Sequence, residues 1–296
     1  MPTLELYCGI GGFAAAAGDR ARIVAAIDLS PHVLEIYRHN YPSHNARQAH
    51  LEHVAASKIA AYEAQMWWMS PPCQPYTTRG KQRDLDDHRA GSLPRMMRVL
   101  AAQLPDYLGM ENVPGFVDSE AHTLVLETLD RAGYTICERT LCPTELGIPA
   151  RRERYYLLAS RKGLRTPAAP IVVPTRLVDL LEAHFDDELL VPEHILATHG
   201  PGMRLLDPWG EPDTVANTVT GAYGKTWQAA GAYLQLPDGR VRRFSPGELL
   251  RLLGFPKDFG FPADTPLRHR YKAVGNSLSV TAMREILRAL PCFEQA

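Results

Sequence analysis

Thr3-Leu4-Glu5-Leu6-Tyr7-Cys8-Gly9-Ile10-Gly11-Gly12-Phe13 is a short apolar run that breaks on three glycines, and its reading decides the fold. Glycine lets the backbone turn tightly and approach a ligand, so the pattern is a strand followed by a turn able to cradle one. The next apolar run, Ile23 to Ile27, ends at Asp28. An acid about 20 residues past such a turn is placed to accept hydrogen bonds from ribose hydroxyls, which implies a cofactor with a nucleoside. The spacing is not the dinucleotide G-x-G-x-x-G pattern, so a nicotinamide cofactor is disfavoured; a plain strand-to-helix turn without a ligand is the alternative.

Outward from this turn, apolar runs alternate with helix-like stretches. Met66 to Met69, Tyr107 to Met110 and Arg154 to Ala159 read as further strands, and helices are expected from about Pro31, over Leu93 to Gln103 and over Ala121 to Ala132. This is the βαβ pattern of an α/β doubly wound sheet, in which ligands bind beyond the carboxyl ends of the strands. From Gly163 the sequence becomes irregular and rich in proline, with one helical stretch near Leu177 to Phe185. Helix signals return at Ser245-Pro246-Gly247-Glu248, an N-cap serine followed by proline and an acid, and a last amphipathic helix is expected over Val280 to Leu290. The expected organisation is a catalytic domain over residues 1–162, a small lobe over 163–244, and a C-terminal segment over 245–296 that packs back on the catalytic domain.

Four more segments stand at the ends of these runs. Ser70-Pro71-Pro72-Cys73-Gln74-Pro75-Tyr76 follows a strand, and its prolines fix the backbone so that the Cys73 thiol is presented on a rigid turn. A buried, inert thiol is the competing reading, and it is kept for Cys8, Cys137, Cys142 and Cys292. Glu111-Asn112-Val113-Pro114 offers a carboxyl at a strand mouth, either a surface charge or a proton donor tuned by burial. Arg152-Glu153-Arg154 leads into an apolar run, where alternation directs both arginines to one side. Gly275-Asn276-Ser277 precedes the final helix and either caps it or sets an amide and a hydroxyl near a ligand.

With 296 residues and 45% hydrophobic side chains the chain can build a sizeable core. No apolar run is long enough for a membrane span and the start lacks a signal-peptide pattern, so the expected compartment is the cytoplasm. Five cysteines without a C-x-x-C pair argue against a disulfide framework or a zinc site, and no metal is expected. The formal charge of -1 means that any nucleic-acid surface must be local. The densest basic clusters are Arg79, Lys81 and Arg83; Arg151, Arg152 and Arg154; and Arg240, Arg242 and Arg243.

Taken in this order, the five segments resemble the cytosine-5 methyltransferase family, over nearly the whole chain outside residues 163–215. The resemblance implies a Rossmann-like domain that binds S-adenosyl-L-methionine through Tyr7, Gly9, Ile10, Gly11, Gly12, Asp28 and Pro71, with Asn276 and Ser277 closing over it. It implies Cys73 as nucleophile, with Glu111, Arg152 and Arg154 as its catalytic partners. Gln74, Arg79, Lys81 and Arg83, with Tyr223 in the small lobe, are expected to contact nucleic acid. The run from Trp68 to Thr77, Asp87-His88-Arg89 and Gly147-Ile148-Pro149 are similar to the type-two DNA-methyltransferase homologues, which implies a cytosine in the anticodon loop of tRNA as substrate. A DNA cytosine-5 methyltransferase is the second reading and a non-catalytic nucleic-acid-binding protein the third; a monomer is expected. The sequence departs from that subfamily at Thr218-Val219-Thr220, in place of Cys-Phe-Thr, and at Ala150, in place of the glutamine that opens the arginine motif. It also has no acid at Ala49-His50-Leu51 to meet the adenine.

Overall fold

The computed structural model describes residues 1–73 and 91–293. They form two compact units. The first comprises Met1–Leu141, Glu153–Ala169 and the chain from Met283; the second comprises Cys142–Arg152 and Pro170–Ala282. Breaks are expected from the sequence at 162/163 and 244/245, with 245–296 as one segment, whereas residues 245–282 belong to the second unit.

In the first unit the order is β1 (Pro2–Leu6), α1 (Gly12–Ala17), β2 (Arg22–Asp28), α2 (Pro31–Asn40), β3 (Ala46–Gln48), α3 (Ala56–Ala60), β4 (Met66–Met69), α4 (Ser92–Gln103), β5 (Tyr107–Asn112), α5 (Glu120–Arg131), β6 (Thr135–Leu141) and β7 (Arg154–Ser160). The strands make one sheet in the order β3-β2-β1-β4-β5-β7-β6, parallel except for β7, which runs antiparallel to both neighbours. The chain winds from β1 outward to β3 and then returns to β4 on the other side of β1. That reversal opens a crevice beyond the carboxyl ends of β1 and β4, the place where ligands bind in such sheets.

The buried runs explain the centre. Met66-Trp67-Trp68-Met69 is buried at every position because β4 lies between β1 and β5 with both faces covered. Trp68 stacks on Phe13 of α1 at 5.2 Å, and its ring lies where a side chain on its register partner Gly109 would have to go: a Cβ there would stand 2.3 Å from the indole. The expected strands and the helices over 31–40, 92–103 and 120–131 are all present. Two strands were not foreseen, β3 and β6, both at sheet edges. An edge strand needs few apolar residues, and β6 is largely exposed along its length.

The second unit contains α6 (Glu193–His199), β8 (Arg204–Leu206), β9 (Ala232–Gln235), β10 (Val241–Arg242), α7 (Pro246–Leu253) and α8 (Leu267–Gly275); α9 (Val280–Leu287) starts in it and ends in the first unit. The expected helix over 177–185 is instead a single 3-10 turn, Leu177–Leu180. Its carbonyls and amides are taken by α7: Arg251 Nε donates to Leu180 O at 2.8 Å, and Glu182 N donates to Glu248 Oε1 at 2.9 Å. The capping signal at Ser245 is realised, with Ser245 Oγ accepting from Glu248 N at 3.0 Å and Glu248 Oε2 accepting from Ser245 N at 2.8 Å.

Gly109→Ala should lower stability by about 1–3 kcal/mol through overpacking against Trp68. Urea titration of the purified protein checks it, and an unchanged midpoint would show that the Trp68 ring moves aside freely.

Candidate active site

Beyond β1 the backbone takes unusual dihedrals. Tyr7 has φ 56 and Gly9 and Gly11 have φ 53 and 92, so a non-glycine residue is held in the left-handed region at the start of the turn. The Tyr7 hydroxyl donates to Ser92 Oγ at 2.9 Å, which anchors it to the start of α4. Gly11 is required twice, by its φ and because a Cβ would meet the Tyr41 ring at 2.6 Å, while the position of a Cβ on Gly9 is open space. Gly9 N and Ser30 N each donate to one oxygen of Asp28 at 2.9 Å. Burial raises the Asp28 carboxyl above its ordinary range, and the backbone N–H donors pull it back. With Ser30, Gly9 and Leu29 as backbone donors the carboxylate still has acceptor capacity, so the turn and the acid together fit a nucleoside: a bare backbone to lie against and an acceptor for a ribose hydroxyl.

Beyond β4, Ser70 N donates to Leu6 O at 3.3 Å and Trp68 Nε1 donates to Ser70 Oγ at 3.1 Å, fixing the start of the proline turn. Asn112 Nδ2 then donates to Pro71 O at 3.5 Å, and its Oδ1 accepts from Val113 N at 2.8 Å. Cys73 is half-buried at the end of this turn. Glu111, at the end of β5, is buried, and its Oε1 lies 3.2 Å from Nε of Arg154, the first residue of β7. The antiparallel register, Glu111 opposite Tyr156 and Asn112 opposite Tyr155, brings this carboxylate and guanidinium together. One strand end thus offers a thiol on a fixed turn, and the neighbouring pair offers a carboxyl and a guanidinium in a shielded place. This set can combine nucleophilic attack with protonation and with hydrogen bonds to a carbonyl oxygen.

Two expectations need correction. Arg152 and Arg154 do not share a task. The Arg152 guanidinium is buried in the second unit, where it donates to Val219 O at 3.2 Å, to Gly275 O at 3.0 Å and to Ser277 O. It braces the Gly275-Asn276-Ser277 turn and is committed to backbone carbonyls. Asn276 also lies against Gly221, where a Cβ would come within 2.6 Å of its Oδ1, and a Cβ on Gly275 would meet Thr220 O at 2.4 Å. Tyr223 is no nucleic-acid contact: its ring is fully buried, and its hydroxyl donates to Ala232 O at 2.7 Å and accepts from Phe244 N at 3.1 Å.

The basic cluster at 240–243 dissolves in the same way. Arg242 makes a bidentate pair with Glu248 in the core, Arg240 pairs with Asp238, and Arg243 lies over the Trp227 ring at 3.7 Å. Gln74, Arg79, Lys81 and Arg83 lie outside the described residues. The Glu111-Asn112-Val113-Pro114 motif alone gives no sign of the part played by Asn112, because only the register of β4 against β5 brings its amide to the proline turn. Among the described residues no cluster of His, Cys, Asp and Glu could hold a metal ion, and no helix is long and apolar enough to cross a membrane. Burial, with the nearby Glu5 and Asp28 carboxyls, pushes the Cys8 thiol well up, as expected of an inert thiol, whereas Cys137 is exposed on β6.

Comparison with known proteins places this geometry in context. The profile of the C-5 cytosine-specific DNA methylases matches residues 1–191 and 205–292. The tRNA (cytosine(38)-C(5))-methyltransferase of Spodoptera frugiperda is 30% identical over 97% of this chain and 98% of its own length. A DNA (cytosine-5)-methyltransferase of Dictyostelium discoideum is 26% identical over 98% of this chain and 94% of its own. The crystal structure of the S. pombe Dnmt2 methyltransferase superposes with a TM-score of 0.85 at 30% identity, covering 98% of this chain and 99% of that one.

Removing the brace should be costly. Arg152→Ala leaves one buried and two part-buried carbonyls without their charged donor and should cost about 3 kcal/mol in denaturant titration, with Arg152→Lys recovering less than half. A loss below about 0.5 kcal/mol would show that the turn holds itself.

Proposed function

This chain belongs to the C-5 cytosine-specific DNA methylase family, and from that premise we propose that it transfers a methyl group from S-adenosylmethionine to C5 of a cytosine in tRNA. One observation carries the reading of the site. The Glu111–Arg154 pair, at 3.2 Å, stands one residue from Asn112, whose amide holds the Pro71 carbonyl two residues before Cys73.

C5 of cytosine is a poor nucleophile. In the proposed reaction the Cys73 thiolate adds to C6, forming an S–C bond while the ring electrons move towards N3. Glu111 supplies a proton at N3 and so removes the charge that would oppose addition, and Arg154 donates to O2 of the base. Bound S-adenosylmethionine supplies an electrophilic methyl carbon. Once C5 has taken that methyl group, loss of the C5 proton to water, departure of the Cys73 thiolate from C6 and return of the N3 proton to Glu111 restore the aromatic ring. Gly9, Gly11 and Asp28 would hold the nucleoside part of the cofactor: the turn would give close backbone approach and Asp28 would accept from the ribose.

The base must leave its stack to expose C6, at a cost of a few kcal/mol that is smallest in a loop. Together with the names of the curated relatives, this favours a tRNA loop over duplex DNA. DNA is the second reading, favoured by the Dictyostelium discoideum relative.

Transfer of labelled methyl groups to tRNA transcripts and to duplex DNA, compared at one salt concentration, separates the two. Incorporation into tRNA well above that into DNA is expected; acceptance by DNA alone would overturn the substrate. Glu111→Gln should lower kcat by about 10²–10⁴-fold and leave cofactor affinity unchanged, because an amide cannot give up a proton. A kcat within twofold of wild type, roughly, would remove Glu111 from the proton transfer.

A further inference from the structure

Glu5 is the penultimate residue of β1, one of the most buried strands of the sheet, and is 1% exposed. The reaction as written makes no use of it. A carboxyl in such a place must be paired or protonated. Its partners are unusual: it accepts from the first amides of α1, Phe13 and Ala14, and its Oε2 lies 2.9 Å from the Tyr37 hydroxyl. That hydroxyl is also 3.1 Å from His44 Nδ1. The ring of Tyr37 closes on the glycine turn, since a Cβ on Gly11 would stand 3.1 Å from it, and Tyr41 stacks on His44 at 5.0 Å while its hydroxyl lies 3.5 Å from Gly11 O.

We propose that Glu5 is a positioning residue: through the amides of Phe13 and Ala14 and the Tyr37–His44 hydrogen-bond chain it holds the glycine turn in its cofactor-ready form, and it makes that form sensitive to alkaline pH. The inference rests on the proposed role of the turn in holding S-adenosylmethionine.

Tyr37 has one proton to donate, so the chain has two directions. With Glu5 protonated, Glu5 donates to Tyr37 Oη and Tyr37 donates to His44 Nδ1. With Glu5 ionised, Tyr37 donates to the carboxylate and His44 must donate from Nδ1. Burial raises the Glu5 carboxyl from 4.5 to about 8, outweighing the hydrogen bonds from Tyr37, Ala14 and Phe13 that lower it. Burial also lowers His44, keeping its imidazole neutral, and raises Tyr37, keeping its hydroxyl protonated.

The surroundings offer an ionised Glu5 little relief. Asp28 at the end of β2 adds negative charge, Cys8 in the turn feels both carboxyls, and α2 with its following turn presents Tyr37, Tyr41 and His44. Arg38 acts on Cys8 only through its charge, and its guanidinium donates to Ala46 O at an exposed position. α1 presents only backbone amides, and the sheet partners of Glu5, Ala26 and Trp68, carry no charge. Above pH 8 the buried charge must therefore draw in water or move, and α1 and Tyr37 go with it.

The sign follows. The folded state keeps a proton that the unfolded state loses near pH 4.5, so stability falls as pH rises from 4.5 to about 8 and is flat beyond, a slope that Glu5→Gln removes.

The test is calorimetric binding of S-adenosylmethionine to the full-length protein between about pH 6.5 and 9.5, for wild type, Glu5→Gln and Glu5→Ala. Glutamine keeps the acceptor for Phe13 and Ala14 and donates to Tyr37 as protonated glutamate does. The ratio of the wild-type and Glu5→Gln dissociation constants cancels the titration of the cofactor's own amino group. That ratio should be near one at neutral pH and rise about fivefold or more through pH 8, with Glu5→Ala weak throughout. Infrared spectra should show a protonated-carboxyl band in wild type at neutral pH that Glu5→Gln lacks. A flat ratio, Glu5→Ala binding like wild type, or no such band overturns the inference. If wild type binds no cofactor at any pH, the cofactor reading falls and the inference with it; a flat ratio with intact binding sinks the inference alone.

Discussion

Trp68 stacks on Phe13 and lies against the bare backbone of Gly109, and much of the first unit depends on that contact. It ties α1, β4 and β5 together in the middle of the sheet, so that the three segments leaving β1, β4 and β5 emerge side by side. Polar ties complete the arrangement: Ser70 N to Leu6 O across β1 and β4, and Asn112 Nδ2 to Pro71 O across β4 and β5. The glycine turn, the cysteine turn and the Glu111–Arg154 pair owe their proximity to packing several residues below them, and only glycine at 109 leaves room for it.

The second unit solves its own problem differently. Beside a buried apolar core that includes Leu234, Phe244, Leu249, Leu250 and Tyr271, it uses charged side chains to hold backbone. Arg152 gathers three carbonyls, and Arg242 with Glu248 forms a core pair that also accepts from Ser245 N and Glu182 N. Each such residue is costly to bury and costlier to remove, since its partners would remain unsatisfied. This is why a local excess of arginine in the sequence did not mean a basic surface.

The central strands and the order of the motifs could be read directly because both faces of those strands are covered, which leaves continuous apolar runs ending on turn residues. The edges could not. β3 and β6 are polar because an edge tolerates polarity, and a three-residue strand such as Ala46-Arg47-Gln48 leaves no periodic trace. The site divided along the same line. Residues fixed by chain position, Cys73, Glu111, Asp28 and the glycines, are picked out as candidates by their motifs. Residues fixed by long-range partners are not: alternation joined Arg152 to Arg154, but carbonyls near residues 219 and 275 claimed the first and a carboxylate at 111 the second. Tyr223, expected at the nucleic acid, is instead drawn into the core by two backbone partners of its hydroxyl.

The central claim is a covalent bond between the Cys73 sulphur and C6 of a cytosine. It is tested most directly by incubating the protein with S-adenosylmethionine and an accepted RNA in which the target is 5-fluorocytosine, then digesting and sequencing by mass spectrometry. Fluorine at C5 cannot leave as a proton, so the thioether should persist, and the nucleotide mass should sit on the peptide that contains Cys73. An adduct on any other cysteine, or methyl transfer to the unfluorinated RNA with no adduct from its fluorinated counterpart, would contradict the account.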